Sequence, residues 1–284
     1  MGGKIAIVTD STAYLPQAVI DKFQIYSVAL SVTIDGKSYT ENRDINESNF
    51  YEIIQGATTF PTTSQPAPGD FILLYERLRD EGFETIISIH LSSGISGTYQ
   101  NAVSAGGIVS GIRVIAYDSG IACMAMGMMV EKAAELALNS EIDTDIILAK
   151  LDSMRAAMNA YFLVDDLNHL ARGGRLSNAQ AIIGSLLQIK PILHFENKKI
   201  VLYEKIRTQK KALRRIEDLL GEAIKKDLAQ QAYIVHGNNY EKALVWKNEL
   251  QKKYPDVDFN ISYFGPVIAT HLGEGALALV WTLK

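Results

Sequence analysis

The amino-acid sequence predicts an α/β protein of two domains, and three observations favour this fold class. Short apolar runs alternate with segments of helical periodicity in the first half of the chain, as in sheets whose strands are joined by helices. Residues of both parities are apolar in those runs, which indicates a parallel sheet covered on both faces. At roughly 100–200 residues per domain, a chain of 284 residues suits two domains.

The N-terminal domain is predicted to contain a parallel sheet with helices between its strands. The strands are expected at residues 5–8, 26–32, 85–89 and 114–117. The helices are expected at residues 16–23, 47–54, 71–79 and 98–109. Because ligands bind at the carboxyl ends of such strands, the loops at residues 9–12, 90–97 and 118–120 should form the functional edge.

Two further helices, at residues 121–138 and 144–158, lead to a change in composition that predicts domains at residues 1–158 and 159–284. The C-terminal domain is expected to be α/β with a mixed or antiparallel sheet, including a hairpin that turns at Asn197 and Lys198. Its strands are expected at residues 161–164, 189–195, 200–203, 232–235 and 259–263. Its clearest helix follows Thr208, a good N-cap, and has one apolar and one charged face.

Composition disfavours several classes of protein. The chain has 28 Lys and Arg against 32 Asp and Glu, and this net charge of −4 argues against nucleic-acid binding as the main task. The apolar fraction of 48% excludes disorder as the main state. One cysteine, Cys123, and a start without a leader favour a reducing cytoplasm. No apolar run approaches the roughly 18 residues that a membrane span needs, and residues 121–130 are expected to form a buried helix.

The standard patterns of active sites are absent. Gly36, Lys37 and Ser38 resemble the end of a phosphate-binding loop, but Ser31 stands where its first glycine would be. The first strand is followed by residues 9–12, TDST, rather than by the glycines of a dinucleotide site. The five histidines never occur in metal-binding pairs, so no metal site is expected. A binding protein is therefore favoured over a self-sufficient enzyme.

Four segments together carry a resemblance to a known family. They are IAIVTDSTAYLP at residues 5–16, PTTSQPAPGDF at 61–71, LSSGISGTYQNA at 91–102 and FLVDDLNHLARGGRLSNAQAIIG at 162–184. The spacing continues through LQIKPIL at residues 187–193, KIRT at 205–208 and FGPVIATHLGEGALAL at 264–279. In this order and separation, the segments resemble the DegV family of bacterial fatty-acid-binding proteins, which includes the B subunit of fatty acid kinase.

The resemblance implies a two-domain protein of the EDD fold that encloses one long-chain fatty acid between its domains and has no catalytic activity or cofactor of its own. It also implies an ATP-binding kinase subunit as partner. That subunit would phosphorylate the presented carboxylate to an acyl phosphate for phospholipid synthesis in the bacterial cytoplasm. Transient contact with a membrane surface is a further expectation.

The site residues follow from the needs of a fatty acid: an apolar slot for the tail and hydrogen-bond donors for the ionised head. In the hydroxyl-rich loop before Phe71, the resemblance favours Thr63, with Thr62 beside it, as a carboxylate ligand over an ordinary helix-capping loop. Ser93 is the second expected ligand, with Ser92 beside it. The backbone of Gly94 is expected to approach the carboxylate because it lacks a Cβ atom.

Three further residues are weighed for the head group. Ser96 either caps the following helix together with Thr98 or belongs to the same anion site. The resemblance points to Arg172 and His271 as residues near the head group that could assist phosphoryl transfer. Arg175 is interpreted as structural, paired with Asp165 or Asp166. Asp10 and Asp118 are interpreted as hydrogen-bond anchors for their loops.

Some alternatives stay open at this point. Ten basic residues and four acids lie between Lys198 and Lys226, either as a docking face for an acidic partner or anionic lipid, or as a solvated helix face. The protein could be a lipid carrier or sensor without a kinase partner, or an enzyme that binds a small anionic substrate with Ser93 or Ser96. Preference for tail length should depend on packing among Ile182, Ile183, Leu186, Leu187 and Ile268.

Overall fold

The two halves of the chain form separate sheets in a computed structural model, which describes residues 4–179 and 189–284. Ile182, Ile183, Leu186 and Leu187 lie outside the described residues. The strands are β1 Ile5–Asp10, β2 Tyr26–Val28, β3 Ser31–Ile34, β4 Lys37–Thr40, β5 Thr62–Ser64, β6 Thr85–His90, β7 Arg113–Asp118, β8 Asn159–Leu163, β9 Lys190–Glu196, β10 Lys199–Ile206, β11 Gln231–His236, β12 Asp258–Tyr263 and β13 Leu277–Thr282. The helices are α1 Gln17–Phe23, α2 Glu47–Gln55, α3 Pro68–Asp80, α4 Thr98–Ile108, α5 Cys123–Ala137, α6 Thr144–Ala157, α7 Asn168–Arg172, α8 Gln209–Lys225, α9 Tyr240–Lys253 and α10 Pro266–Leu272.

The sheet order shows how the halves differ. In the N-terminal half, four parallel strands are arranged β2-β1-β6-β7, and a small antiparallel sheet has the order β4-β3-β5. In the C-terminal half, six strands are arranged β10-β9-β8-β13-β11-β12, with only β11 and β12 parallel among these pairs. The predicted fold class, two α/β domains with one parallel and one mixed sheet, is confirmed. The boundary at residue 158 stays a prediction.

Helix α5 packs between the two main sheets. It contacts β1 and β6 on the N-terminal side and β11, β12 and β13 on the C-terminal side. A helix that is apolar on all faces is stable only when it is surrounded, and every residue of α5 from Cys123 to Val130 is buried. The expected buried helix is therefore confirmed, and its burial joins the cores of the two halves. Within the described ranges, no helix combines the length and the apolarity that a membrane crossing requires.

One predicted strand is wrong. The apolar run at residues 26–32 was expected to be continuous, but it divides into β2, which pairs with β1, and β3, which belongs to the small sheet. At the break, the N–H of Leu30 donates to Ser11 Oγ over 3.1 Å, and its carbonyl accepts from the N–H of Glu41 over 2.9 Å. These tertiary bonds redirect the chain, and nothing in the local sequence indicates them.

The small sheet and parts of the C-terminal half were not predicted. Residues 62–64, expected to be a loop, form β5, in which Thr63 lies opposite Val32 of β3. Strand β13 lies between β8 and β11 at the centre of the mixed sheet, and all six of its residues are buried. The predicted hairpin between β9 and β10 is confirmed, and its two turn residues, Asn197 and Lys198, have φ of 48° and 69°. The N-cap is also confirmed, because Thr208 accepts from the N–H of Lys211.

Candidate functional site

An apolar cavity of about 340 Å³ lies between the two halves. Leu91 and Ile95, which follow β6, line its N-terminal side, and Phe162 of β8, Phe195 of β9 and Val280 of β13 line its C-terminal side. Small-molecule sites typically have volumes of roughly 300–1,000 Å³ and mostly apolar walls with a few polar groups. The cavity therefore has the size and lining of a site for a small apolar ligand.

Several polar side chains lie in the cavity wall, and two of them are bonded to each other. Thr63 Oγ1 of β5 lies 2.8 Å from His271 Nε2 of α10, which joins residues 208 positions apart. The Nε atom of Arg175 donates to the carbonyl of Ile95 over 3.1 Å, so Arg175 is held beside Ser96. The amide of Gln65 lies over Gly97, where a Cβ atom would overlap it. Ser64 also lines the cavity, and the five wall residues Thr63, Gln65, Ser96, Arg175 and His271 are called the polar cluster below.

His271 is buried and neutral at pH 7. Burial first, and then electrostatic interactions with Arg175 and His169, lower the pKa of its imidazole to about 4. A neutral ring offers one donor and one acceptor, and Nε2 is paired with Thr63, whereas Nδ1 has no hydrogen-bond partner in the described part of the chain. Gly173 makes room for the ring, because a Cβ atom at this position would overlap Nδ1.

The two neighbouring arginines have different surroundings. Arg175 is half-buried in the cavity wall, and it also donates to the carbonyl of Gly173. Its expected ion pair is wrong: among the described residues, Asp165 pairs with Lys190 over 2.8 Å and Asp166 accepts from the N–H of Asn168. Arg172 is exposed at the end of α7, outside the cavity wall, and its guanidinium carbon lies 5.6 Å from the centre of the Phe60 ring.

The serines that follow β6 have partners within the protein. Ser93 is exposed, and it donates from Oγ to Asp118 Oδ2 over 2.5 Å and from N–H to Oδ1 over 3.1 Å. Ser92 donates from Oγ to the carbonyl of Lys198 over 2.6 Å. The missing Cβ atom of Gly94 makes room for that same carbonyl rather than for a ligand. Ser92 and Gly94 therefore hold the hairpin turn at Lys198 against the N-terminal half, whereas Ser93 is bonded to Asp118.

Of the eight residues predicted for the site, the structure places Thr63, Ser96 and His271 in the cavity wall. It places Thr62, Ser92, Ser93, Gly94 and Arg172 outside the wall. The head-group roles of all eight stay predictions. Gln65 and Arg175 are wall residues that sequence reasoning missed, although both lie in the segments that carry the family resemblance.

Asp10 and Asp118 anchor loops, as their positions after β1 and β7 suggested. Asp10 Oδ1 accepts from the N–H of Thr12, and Oδ2 accepts from the N–H of Leu91, each over 3.0 Å. Asp118 accepts from the N–H of Gly120 over 3.0 Å, in addition to its bonds with Ser93. Within residues 4–179 and 189–284, no three His, Cys, Asp or Glu side chains are grouped closely enough to hold a metal ion.

The fold and the site together define a two-domain α/β protein with an apolar cavity between its halves and one polar cluster in the cavity wall. Residues 4–284 match the family model described as uncharacterised protein, DegV family. A DegV domain-containing protein of Listeria innocua is 59% identical over 284 residues, covering 100% of both chains. The chain belongs to the DegV family.

Two solved structures are similar to the chain over almost its whole length. DegV of Bacillus subtilis, titled a fatty acid binding protein, is 49% identical with a TM-score of 0.93, and the match covers 99% of this chain and 100% of that one. A fatty acid binding DegV family protein of Streptococcus agalactiae is 37% identical with a TM-score of 0.92, covering 99% of both chains. Both of these relatives, which share this two-domain fold, are thus described as fatty acid binding.

Proposed function

We propose that the chain binds one long-chain fatty acid in the cavity between its halves, with the carboxylate at the polar cluster. The observation that carries this proposal is the cavity itself, whose wall is mostly apolar and includes the bonded pair Thr63 and His271. The fatty-acid-binding DegV relatives support the same ligand class.

The energetics favour such a ligand. Each methylene removed from water contributes ~0.8 kcal/mol, so the tail supplies most of the affinity. An unpaired buried carboxylate would forfeit several of these contributions, so the head group needs donors. Thr63 and Ser96 offer hydroxyl donors, and Arg175 offers a guanidinium charge. Because His271 is neutral at pH 7, the single formal positive charge among these wall residues belongs to Arg175.

The finer part of the proposal is presentation of the carboxylate to a separate ATP-dependent kinase subunit. A carboxylate oxygen of the fatty acid would attack the γ-phosphorus of ATP, and the β,γ-bridging oxygen would leave with ADP, which yields an acyl phosphate for phospholipid synthesis. The chain would then be the substrate-holding subunit and the partner the catalyst. Arg172, exposed near the cavity, is available to steady the transferring group, and His271 would hold the head group.

The surface offers a docking face for such a partner. Arg207, Lys210, Lys211 and Arg214 are exposed at the start of α8, whereas Arg215 is paired with Glu204 over 2.9 Å. A basic face attracts an acidic protein surface or anionic lipid headgroups. We propose that this face contacts the kinase subunit or, transiently, a membrane surface in the bacterial cytoplasm.

The test is extraction of the purified protein followed by mass spectrometry, with one co-purifying long-chain fatty acid as the expected result. A protein that is empty and ignores added oleate and palmitate would overturn the proposal. Arg175→Met should weaken binding of oleate, and Arg172→Met, the matched control, should leave it unchanged. With the kinase partner present, Arg172→Met should instead slow formation of the acyl phosphate.

A carrier or sensor without a kinase partner would bind fatty acid equally well. Affinity capture with the fatty-acid-loaded chain discriminates the two functions, because only the kinase-linked function predicts recovery of an ATP-binding subunit that makes acyl phosphate. Turnover of a small anionic substrate by the chain alone would instead favour an enzyme.

A further inference from the structure

A buried carboxylate joins the N-terminal half of the chain to helix α10. Glu41, immediately after β4, is 1% exposed. Its Oε1 atom accepts from the N–H of Val267 over 2.9 Å and from the hydroxyl of Tyr14 over 3.0 Å. Its Oε2 atom accepts from Ser11 Oγ over 2.5 Å. One side chain thus binds the 3₁₀ turn Ser11–Ala13, which follows β1, to the first turn of α10.

The two hydroxyl donors are oriented by backbone groups. Ser11 Oγ accepts from the N–H of Leu30 over 3.1 Å, and the hydroxyl oxygen of Tyr14 accepts from the N–H of Ile268 over 3.4 Å. A backbone N–H can only donate, so it directs the hydroxyl's own hydrogen elsewhere, here toward Glu41. The carboxylate is therefore surrounded by three donors, and both of its oxygens accept hydrogen bonds.

Tyr14 extends from the N-terminal half into the C-terminal half. Its φ of 48° lies in the left-handed region, which turns the side chain away from the path of the 3₁₀ turn. The ring packs on Gly265, where a Cβ atom would overlap it, and lies 5.4 Å from the ring of Tyr263. The contact between the halves at this point depends on Glu41, Tyr14 and the start of α10 together.

Helix α10 carries part of the cavity wall. Val267, Ile268, His271 and Leu272 all line the cavity. The helix has seven residues, so a constraint on its first turn also fixes the position of His271 in its last turn. We propose that Glu41 is a positioning residue, which anchors α10 to the N-terminal half and thereby holds His271 against Thr63 at the polar end of the cavity.

The environment of Glu41 is consistent with a role in positioning α10. Burial, opposed by the bonds from Ser11, Val267 and Tyr14, raises the pKa of Glu41 to about 7, with a small contribution from Asp10. Arg175 of the polar cluster and His169 of α7 are the groups that act electrostatically on His271. A buried carboxylate costs desolvation free energy, so its benefit is the fixed geometry of the atoms that it bonds.

Glu41→Gln tests the proposal. The NH₂ group of the amide cannot accept a hydrogen bond, so at least one of the bonds from the three donors is lost. In ligand-free protein, the pKa of His271 should rise from about 4 toward its usual 6.5 as the ring gains water, measured by NMR titration of labelled histidine. Affinity for oleate should fall on the order of tenfold, because His271 and Thr63 are no longer held in place to bind the head group. Glu52→Gln, an exposed carboxylate on α2, is the matched control and should change neither quantity.

The oleate measurement depends on the proposed function, whereas the NMR titration does not. If Glu41→Gln lowers the unfolding midpoint but leaves the His271 titration unchanged, Glu41 is merely structural and the proposal is overturned. If Glu41→Gln does not fold, Tyr14→Phe decides, because it removes one donor and the bond to Ile268 but keeps the carboxylate. A smaller shift of the His271 pKa in the same direction supports the proposal, and an unshifted His271 overturns it.

Discussion

Thr62 and Thr63 are adjacent threonines of β5 with different surroundings. Thr63 lines the cavity and bonds His271, whereas Thr62 is exposed and lies outside the wall. Thr63→Val removes a hydroxyl from the head-group end, so affinity for oleate should fall about tenfold, the cost of one hydrogen bond of ~1.4 kcal/mol. Thr62→Val should leave the affinity unchanged in the same calorimetric titration. Equal losses in both variants would contradict the placement of the head group at Thr63.

The sequence indicates which types of residue form the site, but it does not indicate which of two neighbouring arginines reaches the cavity. Arg172 and Arg175 flank Gly173 and Gly174, and both side chains suit a carboxylate. The end of α7 and the left-handed Gly174, with a φ of 69°, decide that Arg175 reaches the cavity. That choice depends on the course of the backbone and not on the local pattern.

Glu41 was missed for another reason. Its partner Val267 is 226 positions away, and no local motif marks a carboxylate that will be buried. By contrast, Thr63 and His271 could be proposed because each lies in a segment with a family resemblance.

At the scale of elements, helix α4 contains two adjacent glycines with opposite requirements. A Cβ atom at Gly106 would lie 2.9 Å from Val114 Cγ1 of β7, a stiff β-branched neighbour, whereas one at Gly107 would meet open space. Gly106→Ala should therefore destabilise the fold by about 1–3 kcal/mol through overpacking. Gly107→Ala should stabilise it by up to ~1 kcal/mol through helix propensity. Urea denaturation measures both, and a destabilising Gly107→Ala would show that the helix does not pack as described.

Elements were predictable where periodicity alone determines them. The strands β1, β6 and β7 and the helix α8 have strong local patterns, and each lies where the sequence indicated. Strand β3 was predicted as part of the strand at residues 26–32, and β5 was predicted as a loop. The bond between Leu30 and Ser11 and the pairing of Thr63 with Val32, which define these strands, are tertiary contacts. The local sequence of residues 61–68, with three prolines, gives no sign of a strand.

At the scale of the whole molecule, the β9–β10 hairpin holds the halves together beside the cavity. The carbonyl of Lys198 accepts from Ser92 and occupies the space over Gly94, and Lys198 Nζ lies 2.9 Å from Asp118 Oδ2. Since Lys198 is 51% exposed in its side chain, the ion pair should contribute less than ~1 kcal/mol. The close backbone approach at Gly94 is the more important contact.

Gly94→Ala should therefore separate the hairpin from the N-terminal half. The added Cβ atom meets a backbone carbonyl that cannot rotate away, so the expected loss is about 1–3 kcal/mol in free energy of unfolding. Gly69→Ala in α3 is the control, because its Cβ atom meets nothing within 4 Å. Thermal denaturation compares the two, and a Gly94→Ala variant as stable as Gly69→Ala would refute this account of how the halves dock.

Two buried groups should make opposite contributions to the dependence of stability on pH. The pKa of His271 is lowered to about 4 from 6.5, so the unfolded chain binds a proton that the folded chain refuses, and stability falls as pH drops from 6.5 to 4. The pKa of Glu41 is raised to about 7 from 4.5, so the folded chain binds the extra proton. Its contribution is fully present below pH 4.5 and is lost as pH rises to 7.

These contributions nearly cancel between pH 4.5 and 6.5, so each becomes visible when the other is removed. Relative to the unsubstituted chain, His271→Gln should gain about 2 kcal/mol of stability as pH falls from 7 to 5, because it no longer excludes a proton. Glu41→Gln should lose at most about 2 kcal/mol over the same range, and less as the pKa of its His271 moves toward 6.5. Urea denaturation at pH 5, 6 and 7, with Glu52→Gln as control, measures these differences. Parallel curves for all variants would show that neither group titrates between its folded and unfolded pKa values, and that the burial of both is incomplete in solution.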